Sequence, residues 1–272
     1  MPELPEVETV ASGLDSRVRG DRIEQVWFGS HREPFRTPPD RMAAGLEGAT
    51  ILGVHRTGKH IVFELASPGA SAQWIVHLGM SGRMVFTDPG APVVAHTHAR
   101  VGLRGGGELR FVDPRRFGRL EFRDLGEQTG FSAPGREPLE IGAEEFRLLF
   151  RGRRLSIKAA LLNQSLLSGV GNIYADESLF RAGIRPRRMA GRLRREELER
   201  LRGALRTVLQ HAIRKGGSSV SDYVDANGVR GFFQLEHRVY QRGQEPCREC
   251  GTPIRRIVVA GRGTHYCPRC QR

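Results

Sequence analysis

The chain has 272 residues, enough for two domains that each bury a core of their own. Its formal net charge of +13, from 43 Lys and Arg against 30 Asp and Glu, indicates a polyanionic partner, and nucleic acid is favoured because Arg dominates. No apolar run reaches the roughly 18 residues of a membrane span, and the first residues lack the features of a signal peptide. The sequence therefore argues against a membrane protein, and we expect a cytoplasmic protein or, in a cell with a nucleus, a nuclear one.

The first six residues, Met1-Pro2-Glu3-Leu4-Pro5-Glu6, carry the clearest catalytic pattern. Removal of Met1 would leave Pro2 as a secondary amine with a pKa of about 7.7–8.0, well below that of a lysine. Such an amine attacks an aldehyde-like carbon to form an iminium, and Glu3 can act beside it as general acid or base. The same residues also suit an ordinary helix start, since helical spacing continues through Val7, Val10, Leu14 and Val18 to Gly20.

Short apolar segments separated by Gly, Pro and Asp clusters follow up to about residue 125. This pattern predicts an antiparallel β-sandwich or barrel. The predicted strands are Ile23–Phe28, His60–Leu65, Trp74–Leu78, Arg83–Thr87, Ala99–Leu103, Glu108–Val112 and Arg119–Arg123.

Three turns between these strands carry candidate functional side chains. Lys59 follows a Gly at a strand start, Met80 lies in a Gly- and Ser-containing loop, and the loop at 113–118 holds Arg115, Arg116 and Phe117. A Met or Phe in a Gly-bounded loop suits insertion between stacked bases. Core packing for Met80 and Phe117, and plain solvation for the charged residues, remain the alternatives.

From about residue 143 the pattern is helical. We divide the chain into an N-terminal β-sandwich domain (1–132), a linker (133–142), a helical domain (143–235) and a terminal hairpin (236–272). Ser156 suits a helix N-cap, and the turn at Gly169–Asn172 opens a further helix whose backbone amides could bind phosphate beside Arg153, Arg154 and Lys158. The polar segment 216–231 is either a substrate loop or disordered.

Four cysteines occur, all near the C-terminal end, as Cys247-x2-Cys250 and Cys267-x2-Cys270. This spacing predicts one structural Zn²⁺ held by two knuckles around a β-hairpin. Four thiolates leave no open position for water, so this zinc would stabilise the fold and take no part in chemistry. Arg262 lies at the hairpin tip between two glycines, where it could contact phosphate.

Taken together, these segments resemble the bacterial formamidopyrimidine-DNA glycosylase family, which shares its fold with endonuclease VIII. The blocks that carry the resemblance lie at Pro2–Val10, His77–Gly82, Asp113–Gly118, Gly169–Glu177, Gly231–Gln234 and Gly261–Thr264. The resemblance implies an α+β protein of two domains: an N-terminal antiparallel β-sandwich with flanking helices, and a helical domain with a helix–two-turn–helix and a zinc-bound hairpin.

The resemblance also implies an activity: excision of oxidised purines from duplex DNA, followed by strand cleavage at the abasic site. Its catalytic residues would be Pro2, Glu3, Lys59 and Arg262. Its DNA contacts would be Met80, His96, Arg115, Arg116, Phe117, Arg153, Lys158 and Asn172, with Arg154 a further candidate. The partner would be double-stranded DNA with a damaged base or abasic site, bound by a monomer.

Two departures and three rival functions accompany this interpretation. Ala95 precedes His96 where a charged stretch is more usual, and Arg185 stands where a His commonly precedes Pro186. The rivals are an endonuclease VIII-like enzyme for oxidised pyrimidines, a non-catalytic zinc protein that recognises DNA structure, and a structural RNA-binding protein. The RNA-binding protein explains the charge but not the two Gly-bounded loops that carry Met80 and Phe117, which we call the wedge loops.

Overall fold

The computed structural model describes residues 1–67, 69–219 and 223–272. Two compact units emerge: unit 1 is Met1–Ser132 with Gly216–Phe232, and unit 2 is Ala133–Lys215 with Phe233–Arg272. Val220, Ser221 and Asp222 of the polar 216–231 segment lie outside the described residues.

This division differs from the sequence-based one at two places. Gly216–Phe232, which the sequence assigns to the helical domain, belongs to unit 1. The backbone explains this, because the N–H of Phe86 in unit 1 donates to the carbonyl of Ala226 at 3.0 Å. The expected linker 133–142 is part of unit 2, where Arg136 forms a backbone bridge with Leu167.

In its described residues, unit 1 is built from two four-stranded antiparallel sheets and two α-helices. One sheet has the order β1 (Ile23–Phe28), β6 (Thr97–Leu103), β7 (Glu108–Val112), β5 (Arg83–Thr87). The other has the order β2 (Thr50–Thr57), β3 (His60–Ser67), β4 (Ala70–His77), β8 (Arg119–Asp124). The helices are α1 (Leu4–Val18) and α2 (Pro39–Leu46). The predicted β-sandwich with flanking helices is confirmed.

The apolar face of α1 packs into the core of unit 1. The helical spacing noted in the sequence puts Val7, Val10, Leu14 and Val18 on this face, and all four are buried. The strands supply most of the rest of this core, including Trp74, Phe63 and Phe111. Because α1 is fixed along one side, its first residues have a rigid base.

Unit 2 contains four α-helices and a β-hairpin in the described part of the chain. These are α3 (Ala143–Phe150), α4 (Ile157–Leu162), α5 (Asn172–Ala182), α6 (Arg195–Arg214), β9 (Arg255–Val259) and β10 (Arg262–Tyr266). Ser156 caps α4 as predicted, with its Oγ accepting the N–H of Ala159 at 3.3 Å. Gly183 ends α5 with a φ of 71°, a left-handed conformation that suits glycine. Among the described helices, none has the length and apolarity needed to cross a membrane.

Candidate active site

The first residues of unit 1 are held at the N-terminus of α1 by a buried carboxylate. Pro2 is buried and Glu3 is only 4% exposed. The backbone N–H of Glu3 donates to Oε2 of Glu6 at 2.8 Å, and the N–H of Val7 donates to the carbonyl of Glu3 at 3.1 Å. Most chain termini fray, so this anchoring gives Pro2 and Glu3 a defined position.

Glu6 also ties this start to the segment that follows Gly216. Its Oε1 accepts the backbone N–H of Ser218 at 2.7 Å. The hydroxyl of Tyr223 donates to the carbonyl of Glu6 at 3.2 Å. Burial raises the pKa of Tyr223 and the nearby Glu6 charge adds to the effect, so this hydroxyl stays a donor. Ser218 and Tyr223 of the polar segment therefore both contact Glu6, close to the candidate nucleophile Pro2.

Lys59 lies in the tight turn between β2 and β3. The partners Thr57 and His60 close a two-residue turn in which Gly58 has a φ of 61°. The guanidinium of Arg56 donates to the Gly58 carbonyl at 3.1 Å and to Oε2 of Glu8 on α1 at 2.8 Å. The Lys59 turn is thus joined to α1, the helix that directly follows Pro2 and Glu3. Sequence analysis missed Arg56, since a lone Arg in a strand gives no local signal.

The two candidate wedge loops meet backbone to backbone. Gly79 has a φ of 64°, and a Cβ there would lie 2.5 Å from the carbonyl carbon of Phe117. Only glycine permits this approach. Met80 remains 41% exposed and Phe117 49% exposed, and the Arg115 guanidinium lies 4.9 Å from the Phe117 ring centroid. Both apolar side chains are therefore presented to solvent and are not core residues.

Asp113 organises both wedge loops from inside unit 1. Its Oδ1 accepts the hydroxyl of Ser81 at 2.6 Å and the N–H of Arg115 at 3.2 Å. Its Oδ2 accepts the N–H of Gly118 at 2.8 Å, and the side chain is fully buried. Nothing in the sequence marks Asp113 for this role, because its partners come from two loops some thirty residues apart along the chain.

We expect Asp113→Asn to loosen both wedge loops. The amide would place N–H groups where the carboxylate now accepts them, and each lost charge-assisted bond costs about 1.5–3 kcal/mol. The fluorescence of 2-aminopurine beside a lesion, which rises when bases unstack, should change far less with the variant than with the wild type. Asp88→Asn is the matched control, because Asp88 caps an exposed turn at Gly90. Equal responses from both variants would contradict this role for Asp113.

A histidine pair joins the Lys59 turn to the Met80 loop. His60 and His77 face each other at the ends of β3 and β4, with ring centroids 4.8 Å apart. Nδ1 of His77 accepts the N–H of Gly79 at 3.2 Å, which requires the neutral ring. Burial, followed by the positive charges and His60 nearby, lowers the pKa of His77 to about 4. His77 is therefore a neutral anchor of the Met80 loop near neutral pH.

In unit 2, Lys158 lies inside the fold and not at its surface. The side chain is completely buried, and Nζ pairs with Oδ1 of Asp176 at 2.7 Å. Nζ also donates to the Thr264 hydroxyl at 2.8 Å and to the Gly263 carbonyl at 3.2 Å. In this conformation Lys158 is engaged within unit 2, and its phosphate contact stays a prediction. The sequence could not show this, because the paired acid lies on α5 and the acceptors lie on the hairpin.

Asn172 reaches the same carbonyl. Its Nδ2 donates to the Gly263 oxygen at 3.0 Å. The N–H of His265 donates to Oδ2 of Asp176 at 2.8 Å. Lys158, Asn172 and Asp176 together form a clasp on the hairpin tip, directly after the exposed Arg262. Arg153 and Arg154 are exposed in the turn before α4, as a DNA contact would require.

We expect Lys158→Met to destabilise unit 2 by about 3–5 kcal/mol, because it leaves the Asp176 carboxylate buried without its cation. Urea unfolding measures this loss. Arg195→Gln is the control, since its pair with Glu199 is exposed and such pairs contribute about 0–1 kcal/mol. A fully stable Lys158→Met that loses only salt-dependent DNA affinity would contradict the structural role and favour the predicted phosphate contact.

The four cysteines form one cluster in unit 2. Their Sγ atoms all lie within 4.8 Å of one another, with Cys247–Cys270 at 3.9 Å and Cys250–Cys267 at 3.5 Å. Tetrahedral Zn–S bonds of about 2.3 Å separate sulfur atoms by about 3.8 Å. The donor set and its spacing therefore fit one structural Zn²⁺.

Comparison with known proteins covers nearly the whole chain. Residues 1–120 match the formamidopyrimidine-DNA glycosylase N-terminal domain, residues 135–224 match its H2TH domain, and residues 244–272 match a zinc finger found in FPG and IleRS. A formamidopyrimidine-DNA glycosylase of Solibacter usitatus is 46% identical over 272 residues, which is all of both chains. The chain belongs to the formamidopyrimidine-DNA glycosylase family.

Solved structures of the family show the same architecture. A Lactococcus lactis FPG point mutant in complex with Fapy-dG containing DNA matches over 100% of both chains, with 35% identity and a TM-score of 0.89. A MutM protein in complex with carbocyclic 8-oxo-G containing DNA matches over 100% of both chains, with the same identity and TM-score. The chain is accordingly a zinc-finger DNA glycosylase of base-excision repair.

Proposed function

We propose that the chain is a bifunctional glycosylase and abasic-site lyase that excises oxidised purines, 8-oxoguanine and formamidopyrimidines, with Pro2 as nucleophile. The observation that carries this proposal is the anchored start of α1. Pro2 and Glu3 are buried and fixed through Glu6, which suits a reacting amine and its proton-transfer partner. The complexes of its relatives with Fapy-dG and 8-oxo-G DNA support the substrate class.

Loss of Met1 gives Pro2 the required secondary amine, and Met1 is 49% exposed and so accessible for removal. The positive end of the α1 dipole lies beside this amine and favours its unprotonated form. The amine attacks C1′ of the damaged nucleotide, and the glycosidic bond breaks with its electron pair leaving on the base. Glu3 donates a proton to O4′, and the sugar ring opens to the iminium.

Strand cleavage follows from the same intermediate. The iminium draws electrons from C1′ and makes the C2′ hydrogens acidic. Loss of one of these protons expels the 3′ phosphate, and a second elimination expels the 5′ phosphate. Lys59 and Arg262 are proposed to hold the two flanking phosphates as they leave. The sugar remnant then departs as an aldehyde when water hydrolyses its bond to the Pro2 nitrogen, which restores the free amine.

C1′ is hidden in a stacked duplex, so the damaged nucleotide must first leave the helix. Met80 and Phe117 are proposed to fill the gap, since both are exposed and come from loops that touch through Gly79. Arg115, stacked beside Phe117, is proposed to face the orphaned cytosine. Further contacts to the DNA backbone are proposed for His96, Arg116, Arg153 and Asn172. The segment after Gly216 would cover the extruded base.

Borohydride trapping on a duplex with one 8-oxoguanine opposite cytosine tests this function, with mass mapping of the adduct. We expect a covalent adduct on the nitrogen of Pro2. Pro2→Gly should keep DNA binding and trap more slowly, because a primary amine replaces the secondary one. An adduct at a lysine, or none on any damaged duplex, would overturn the proposal.

The same assay separates the rival functions. An adduct with thymine glycol but not with 8-oxoguanine would move the chain to the endonuclease VIII-like class. Tight DNA binding without any adduct would leave a zinc protein that recognises DNA structure. Preference for folded RNA over damaged duplex would favour the structural RNA-binding protein.

A further inference from the structure

A cavity in unit 1 is lined in part by the wedge loop at 113–118. It has a volume of about 440 Å³ and is lined by nine residues, among them Trp27, His31, His96, His98 and Arg116. Trp27 is 46% exposed at this cavity. Among the described lining residues none is acidic, and the cationic Arg116 is joined by three histidines. Aromatic surface combined with positive charge suits a nucleotide.

Arg116, which belongs to the wedge loop at 113–118, lines this cavity. Arg115 stacks on Phe117, whereas the next residue, Arg116, has a φ of 56° and reaches His31. Its Nη1 lies 3.3 Å from Nδ1 of His31. Because a guanidinium only donates, Nδ1 of His31 is the acceptor in this hydrogen bond, and Nε2 is the ring nitrogen that can donate. The cavity therefore offers a fixed cation and an imidazole donor within one wall.

The cavity is also connected to the residue that organises the wedge. Nε2 of His98, which is 3% exposed, lies 3.0 Å from the carbonyl oxygen of Asp113 and donates to it. Asp113 in turn holds Arg115 and Gly118 in place. Two lining residues, His96 and Arg116, have positive φ values of 64° and 56°. Strained backbone of this kind persists where the surrounding structure imposes it and clusters at binding sites.

We propose that this cavity binds one nucleotide of the strand opposite the damaged base, with the base against Trp27 and the phosphate near Arg116. The inference rests on the proposed function, in which Arg115 faces the orphaned base. Arg116 directly follows Arg115, so the strand that carries the orphaned base is the one that reaches the cavity. Its volume lies in the range of about 300–1,000 Å³ typical of small-ligand pockets.

The chain supplies its own probe for this site. It contains two Trp, and Trp74 is fully buried while Trp27 is exposed. Iodide quenching of tryptophan fluorescence therefore reports on Trp27. Duplexes with a tetrahydrofuran abasic analogue are used, since they bind without forming an iminium. In the saturated complex we expect Trp27 to become protected from iodide.

The strand assignment is tested by removing single bases. Opposite-strand nucleotides beside the orphaned position are replaced one at a time by abasic sites. One replacement should restore iodide quenching, while replacements in the damaged strand should leave Trp27 protected. Trp27→Ala should weaken binding about tenfold, since stacking on an aromatic side chain contributes about 1–3 kcal/mol per base. Leu52→Ala, at a residue 53% exposed on β2, is the control and should bind as the wild type does.

Three outcomes would overturn the proposal: Trp27 stays open to iodide in the complex, Trp27→Ala binds normally, or a free mononucleotide protects Trp27 as well as the duplex does. Borohydride trapping of wild type and Trp27→Ala on an 8-oxoguanine duplex is run in parallel. Absence of a wild-type adduct would refute the proposed function alone, because the quenching assay needs binding and no reaction. At limiting protein, Trp27→Ala should form the Pro2 adduct more slowly than the wild type, in line with its weaker binding.

Discussion

Glu3→Gln is expected to lower the rate of 8-oxoguanine excision by about 10²–10⁴-fold, the contribution typical of a general acid or base. Gln keeps the size of the side chain and an oxygen that can accept a hydrogen bond at the helix start, but it cannot transfer a proton at neutral pH. Pro2 remains free to attack, so the loss reflects the missing proton transfer at O4′ that accompanies release of the base. Single-turnover excision on an oligonucleotide duplex measures this rate.

The affinity for a tetrahydrofuran-containing duplex separates chemistry from folding. It should be unchanged in Glu3→Gln, since the backbone N–H of residue 3 still donates to Glu6. Glu24→Gln, an exposed position on β1, is the control and should keep full activity. If Glu3→Gln excises at the wild-type rate, proton transfer at O4′ belongs to another group, and Glu3 serves only the helix start.

The repeating structural device in this molecule is a buried carboxylate that accepts backbone N–H groups. Glu6 holds the catalytic start and Asp113 the wedge loops. Asp176 holds the hairpin tip. Glu177, 3% exposed, accepts the N–H groups of three consecutive residues, Arg238, Val239 and Tyr240, at 2.8–3.0 Å. Burial raises the pKa of Glu177 despite these three bonds.

These acids explain why functional loops can be exposed and yet defined. A carboxylate that accepts several backbone N–H groups fixes loop geometry without covering the loop. The surface then stays available for the basic side chains that give the chain its +13 charge. Each of these acids lies within or directly after a secondary-structure element. The rigid sandwich or helix therefore fixes the carboxylate, and the carboxylate fixes the loop.

The sequence predicted what local periodicity and spacing encode. All seven predicted strands are present, because alternation or turn residues mark each of them. It missed β2, where a bulge between Ile51 and Gly53 breaks the alternation. It also missed α2, an eight-residue helix that buries only Met42 and Leu46. Gly45 in α2 allows the Phe122 ring to pack there, since a Cβ would lie 2.2 Å from it.

The organisation of the candidate site depends on contacts that no local pattern reveals. Nothing near Lys158 in sequence distinguishes a phosphate ligand from a buried ion pair with Asp176. The tie from Arg56 to Glu8 spans 48 residues, and that from Glu6 to Ser218 spans 212. Family resemblance supplied the roles of Pro2, Glu3 and the wedge residues, whereas their supports became visible only in three dimensions.

Cys250→Ala is expected to abolish zinc binding and to unfold the β9–β10 hairpin. A structural zinc contributes about 10–16 kcal/mol of apparent folding free energy. The apolar cluster around the site cannot replace this contribution, because its buried members are only Phe180, Val239, Ile254, Cys247 and Cys267. Arg262 would then lose its fixed position at the hairpin tip, and affinity for duplex DNA should fall with it. Metal analysis and hydrogen exchange of residues 255–266 measure the two effects.

The pattern of hydrogen exchange along the chain shows which part of the fold depends on zinc. Protection should disappear in the hairpin and persist in β1 to β8, because those strands have their own core. Val258→Ala, at a residue 58% exposed on β9, leaves all four thiols intact and should retain both zinc and DNA affinity. A wild-type protein without zinc, or a Cys250→Ala protein with unchanged affinity, would contradict the assignment. A protected hairpin in Cys250→Ala would mean that the Lys158–Asp176 clasp holds the tip without metal.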